Sequence, residues 1–145
     1  MSNKIEKWYP LENIPKQDLY VYEIEDTPAG LMIILEEVVR GEERPFIKIF
    51  FSNCYESRKF DENILLKTWD QVPDLVGRYN LFTATKDTFA GWTFQSFDRK
   101  SQKKVLHFII GTGNDVLEIL APEPPLVSWI PLKTPFYNYL IEKYN

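Results

Sequence analysis

Residues 19–51 read LYVYEIEDTPAGLMIILEEVVRGEERPFIKIFF. Two breaks divide this stretch into three. Asp26-Thr27-Pro28-Ala29-Gly30 is a turn signal, because Pro presets φ and Gly tolerates positive φ. Arg40-Gly41-Glu42-Glu43-Arg44-Pro45 is the second. The segments 19–25, 30–39 and 46–51 are rich in β-branched and aromatic residues and fit strands. In 19–25, alternation puts Tyr20, Tyr22 and Ile24 on one face and Leu19, Val21 and Glu23 on the other. In 46–51, Ile47, Ile49 and Phe51 oppose Lys48. Three strands with short connections predict an antiparallel meander.

Working outward, residues 1–17 carry Pro10 and Pro15 and read as irregular. Residues 64–69 and 79–83 fit strands, and 72–74 a helix start or a turn. In 87–97, DTFAGWTFQSF, Phe89, Trp92 and Phe97 suit a helix, while Trp92 and Phe94 suit a strand. The helix is the expectation, although Gly91 costs it about 1 kcal/mol. RKSQKK at 99–104 is a solvated basic loop. Segments 105–110 and 116–120 are strands, and Pro122, Pro124 and Pro125 stop the sheet because Pro cannot donate to a ladder. Thr134 is placed to cap a helix over 135–143, with Pro135 first and Phe136 and Leu140 four apart. The expected fold is α+β: one globular domain over 1–145, a twisted, mainly antiparallel β-sheet with one or two short helices including a C-terminal helix. A barrel or sandwich with a terminal helix is the alternative.

The 145 residues suffice for one core. A domain of this size buries roughly 68–70% of its unfolded surface and needs no metal or disulfide. Cys54 is the sole cysteine, which excludes an intramolecular disulfide. Seventeen basic against 21 acidic residues give a net charge of −4, which disfavours nucleic acid and anionic membrane as partners. The start MSNKIEKWYP carries no apolar run, so no secretory signal is expected. No run of about 18 apolar residues exists to cross a membrane. The expected location is the cytoplasm.

HFIIGTGNDVLE at 107–118 holds the single histidine, His107, and Glu118 across a glycine turn. With residues 111–114 as a four-residue loop, His107 and Glu118 stand directly opposite, where Cβ atoms lie about 4.5–5.5 Å apart. Such a pair can do acid–base work, but a working site also needs a nucleophile or an oxyanion donor. No motif supplies one, and the apolar neighbours on that face favour a polar spot at the edge of a core. No catalytic residue is therefore assigned, and the chain is expected not to be an enzyme. One Cys and one His are too few for a zinc site, and no cofactor or metal is expected. Cys54 has no flanking base to activate it.

Charge layout is more informative. Seven acids (Glu23, Glu25, Asp26, Glu36, Glu37, Glu42 and Glu43) lie between residues 19 and 44, against Arg40 and Arg44. Charges at strand edges block sheet-to-sheet aggregation, and an acidic face also steers a basic partner. Glu36, Glu37, Glu42 and Glu43 are the candidate partner-binding residues.

Residues 104–130 add a resemblance. His107 and Ile110 are followed by the turn residues Thr112, Asn114 and Asp115, then by VLEIL at 116–120 and the proline-rich 122–125. This pattern resembles that of small bacterial immunity-type proteins of polymorphic toxin systems. The resemblance covers under a fifth of the chain and carries no contact residues across. It implies a cytosolic protein that binds and neutralises a toxin. The resulting expectation is a non-enzymatic protein-binding module that occludes a basic toxin through an acidic surface. The alternative is a small-molecule-binding domain with an aromatic-lined pocket that uses residues such as Trp92 and Trp129.

Overall fold

A computed structural model of the chain describes residues 5–12, 19–37, 45–61, 81–84, 106–111 and 115–143. The expected meander is present as β2 (Leu19–Thr27), β3 (Gly30–Glu37) and β4 (Phe46–Phe51). With β9 (Leu126–Trp129) added beside β4, it makes a four-stranded antiparallel sheet in the order β2-β3-β4-β9. A second sheet holds β1 (Ile5–Lys7), β5 (Glu56–Asp61), β6 (Leu81–Ala84), β7 (Leu106–Gly111) and β8 (Asp115–Ala121), in the order β1-β6-β7-β8-β5. Every described pairing is antiparallel. The helix α1 (Pro135–Lys143) closes the described chain. The α+β class with a mainly antiparallel sheet and a C-terminal helix is therefore observed, divided between two sheets.

Alternation explains why the sheets stack. Leu31, Ile33 and Leu35 of β3 and Ile47, Ile49 and Phe51 of β4 meet Phe108, Ile110, Leu117, Ile119 and Ala121 of the other sheet in one core. Rings key the contact: Phe108 lies 5.4 Å from Phe51 and 5.0 Å from Trp8, both tilted, as aromatic quadrupoles prefer. The outer face of the four-stranded sheet carries a second core. There Ile34, Phe46 and Ile130 receive Tyr137 and Leu140 of α1.

The hairpin turn of β2 and β3 tolerates one residue type at its end. Gly30 has φ +148°, and a Cβ there would sit 2.2 Å from the Phe51 carbonyl oxygen. Thr27 Oγ1 accepts from the Ala29 and Gly30 amides at 3.1 Å and organises the turn. The helix start follows its cap. Thr134 Oγ1 accepts from the Tyr137 amide at 3.3 Å, and Asn138 N–H donates to Thr134 O at 2.9 Å.

Four expectations change. Within residues 1–17, Ile5–Lys7 is a strand on β6 rather than irregular chain. β5 is a strand with no sequence signal, since ESRKFD has no apolar alternation and belongs to a charged edge. β9 resumes the sheet after the prolines, which is compatible with an edge strand whose prolines precede its ladder. The alternation read in β2 is broken by a bulge between Val21 and Glu23, which rephases the strand. Tyr22 consequently faces α1, whereas Ile24 pairs with Ile33 and faces the other sheet. The expected strand at 79–83 is observed as β6, while the readings at 64–69, 72–74, 87–97 and 99–104 lie outside the described residues.

Candidate functional site

The acidic residues divide between the two ends of the β2–β3 hairpin. Glu36 and Glu37 finish β3 beside Tyr20 and Leu19, half-buried and engaged in contacts. Glu42 and Glu43 lie outside the described residues. Glu23 is buried under α1, where the Lys143 ammonium donates to its carboxylate. That contact, helped by Tyr139, holds the Lys143 pKa above the ordinary lysine range. Glu25 and Asp26, by contrast, are exposed at the opposite end, beside the turn.

Sheet pairing brings further acids to that end. Asp26 pairs with Leu31, which pairs with Phe51, so the end of β2 and the connection 52–55 share one end of the molecule. Glu56 opens β5 opposite Leu120, just ahead of Glu123, which accepts a hydrogen bond from Ser52 Oγ at 3.1 Å. Cys54 records the resulting field. Burial pushes its thiol pKa up, and the Asp26 and Glu56 carboxylates push it further, against a hydrogen bond from the Glu56 backbone. The thiol is thereby held protonated and unreactive. Segments 25–30, 52–56 and 121–125 contain Glu25, Asp26, Glu56 and Glu123 and no Lys or Arg. The sequence alone does not mark Glu56 and Glu123, because only strand pairing joins them to Asp26.

His107 and Glu118 do meet, by a different register from the expected one. His107 pairs with Leu120 and Ile109 with Glu118, a shift of two residues. A shift of two preserves the face, so the two residues become diagonal neighbours. His107 Nε2 lies 3.5 Å from Glu118 Oε1, with both side chains almost fully buried. No described residue hydrogen-bonds either Glu118 oxygen. Arg58 occupies the register position opposite Glu118 on β5. The described residues hold no group of three or more His, Cys, Asp or Glu side chains fit for a metal. No helix among them is long and apolar enough to cross a membrane.

The residues considered for an aromatic pocket are not brought together. Trp129 packs half-buried against the inter-sheet core, and Trp92 lies outside the described residues. A cleft of about 160 Å³ opens elsewhere between the sheets, lined by Ile24, Leu31, Ile33, Ser57, Lys59, Leu117 and Ile119. Its lining is aliphatic rather than aromatic. The chain matches no protein-family model, no curated protein and no solved structure.

Proposed function

We propose that this chain is a non-enzymatic protein-binding module of the cytoplasm, of the toxin-immunity type, that occludes a basic partner through acidic surface. One observation carries the reading: Glu25, Asp26, Glu56 and Glu123 converge on one end from three separate segments that contain no cation. Such a field steers a basic surface into register and repels acidic competitors. Glu36, Glu37, Glu42 and Glu43 are the second candidate set. The resemblance at residues 104–130 adds the expectation of a toxin as partner.

The test is affinity capture of the tagged chain from its native cells at low and then high salt, with mass spectrometry of the bound proteins. The expected result is a stoichiometric basic protein that salt releases. Glu25→Lys with Asp26→Lys and Glu123→Lys is then compared with the quadruple Lys variant at 36, 37, 42 and 43. Loss of capture in the first variant assigns docking to the hairpin-turn end, and loss in the second assigns it to the set Glu36, Glu37, Glu42 and Glu43. Undiminished capture in both removes the acidic-surface reading.

A further inference from the structure

We propose that the free edge of β9 is a self-association surface, on which two copies of this chain pair β9 against β9, antiparallel, about a two-fold axis at Ser128. The pairing joins their four-stranded sheets into one. It goes beyond the protein-binding reading and does not rest on it.

The four sheet edges are not alike. An edge strand offers unpaired N–H and C=O groups, and charge, a bulge or a proline blunts it. β1 carries Glu6 and Lys7, and β5 carries Glu56, Arg58, Lys59 and Asp61. β2 carries Glu23, Glu25 and Asp26 together with a bulge. β9, LVSW, carries no charge, and its register with β4 is unbroken. Its Leu126 is 74% exposed, the most exposed large apolar side chain among the described residues.

The backbone of that edge is open as well. Ile130 N–H donates to Phe46 O at 2.9 Å, and Ser128 and Leu126 pair with Lys48 and Phe50 in the same phase. Antiparallel bonding alternates along a strand, so Leu126 and Ser128 turn their N–H and C=O toward β4. Val127 and Trp129 turn theirs away from the sheet. No described strand lies beyond them. The helix α1 leads away from this edge, from Ile130 and Phe46 toward β2, where Lys143 meets Glu23.

Symmetry about Ser128 identifies the occupant. Residues 123–133 read EPPLVSWIPLK. Val127 and Trp129, Leu126 and Ile130, Pro125 and Pro131, and Glu123 and Lys133 stand at equal distances from Ser128. A two-fold axis pairs each position with its mirror and the mirror with it. Val127 then meets Trp129 of the second copy through the groups that face away from β4. Pro125 and Pro131 lack an N–H and close the ladder at both ends. Ser128 meets itself at a non-hydrogen-bonded pair, where Cα atoms approach to about 4.5 Å and a small side chain fits. Leu126 is set opposite position 130 of the second copy, which covers its exposed surface. The exposed Glu123 of each copy comes to the end that holds the exposed Lys133 of the other. A strand from an unrelated protein would gain the ladder without these reciprocal matches. Glu25 and Asp26 lie on the opposite edge strand and stay open to a different partner.

The test is sedimentation equilibrium of the full chain from about 1 μM to about 1 mM. A monomer–dimer equilibrium is expected. Val127→Pro removes an outward N–H, spares the ladder to β4 and should abolish the dimer. Ser128→Lys, an exposed substitution that sets like charges on the axis, should weaken association by at least about fivefold and serves if the proline variant does not fold. The register is read by oxidation in a Cys54→Ser background. Ser128→Cys should crosslink two copies, whereas Leu126→Cys, which faces position 130, should not. A chain that stays monomeric throughout, including one whose edge takes only a strand from another protein, would overturn the proposal. So would a dimer indifferent to both edge variants, or crosslinking through Leu126→Cys as ready as through Ser128→Cys.

Discussion

Each sheet buries a carboxylate on its outer face, and the two are met by different partners. Glu23 lies on β2, at the edge of the four-stranded sheet. Its partner Lys143 comes from the last turn of α1, 120 residues away, with its head partly in water. Glu118 lies on β8, between β7 and β5, 2% exposed. Its described partner is His107 on the neighbouring strand. The difference teaches where each solution is available. At an edge, a flexible lysine can reach a buried carboxylate while its own head stays partly hydrated. In the middle of a sheet the partner must come from an adjacent position, and a lower local dielectric makes its loss expensive.

The largest expected effect tests the central pair. His107→Phe strips Glu118 of that partner and should lower unfolding free energy by roughly 1–3 kcal/mol in urea titration. Adding Glu118→Leu should recover most of the loss, because two apolar groups leave no buried polar atom to satisfy. A double variant as unstable as the sum of the singles would mean that the two residues do not act as a pair, and the comparison would fail there.

Lys143→Met should cost less, since Lys143 is exposed and salt screens its contact. Its pH dependence has a definite sign. The folded state holds the Lys143 pKa above the ordinary lysine range through Glu23. The contribution is therefore fully present below the unfolded value, about 10.4, and is lost as pH rises through the higher folded value. The gap between native chain and variant should stay constant from about pH 7 to 10 and narrow above. A gap that closes below this range would show that the contact is not what the substitution removes.

Much of this arrangement is legible in residue order, and the rest is lost for physical reasons. Turn chemistry at Asp26–Gly30 and the Thr134-Pro135 cap are local, so the meander and the helix can be read directly. The bulge at Val21/Glu23 has no local marker, and one inserted residue inverts everything after it. Strict alternation consequently places Glu23 with Leu19 and Val21 and hides its meeting with Lys143. His107 and Glu118 are readable as a pair despite a wrong register, because a shift of two conserves the face. The acidic end is not readable, since Asp26, Glu56 and Glu123 are joined only by long-range pairing. Nor is the cleft, because Ser57 and Lys59 come to line it only when β5 pairs with β8.

The smallest effect sharpens the comparison most. Thr134→Ala removes the side-chain acceptor of the Tyr137 amide and should cost about 1 kcal/mol. Its interest lies in what it couples to. Thr134 fixes the start of the helix whose last residue is Lys143, and Tyr137 and Leu140 between them dock that helix on Ile34 and Phe46. Loosening the cap should therefore loosen the delivery of Lys143 to Glu23. In a double-mutant cycle, Thr134→Ala and Lys143→Met should cost together less than the sum of their separate effects. His107→Phe belongs to the other sheet and shares no described partner with Thr134, so that pair should add within about 0.5 kcal/mol. Coupling in the first cycle and additivity in the second would show that the edge carboxylate depends on a helix built at a distance, while the central pair depends on its own sheet. Additivity in both would reduce the Lys143 contact to a surface charge that α1 does not need to place.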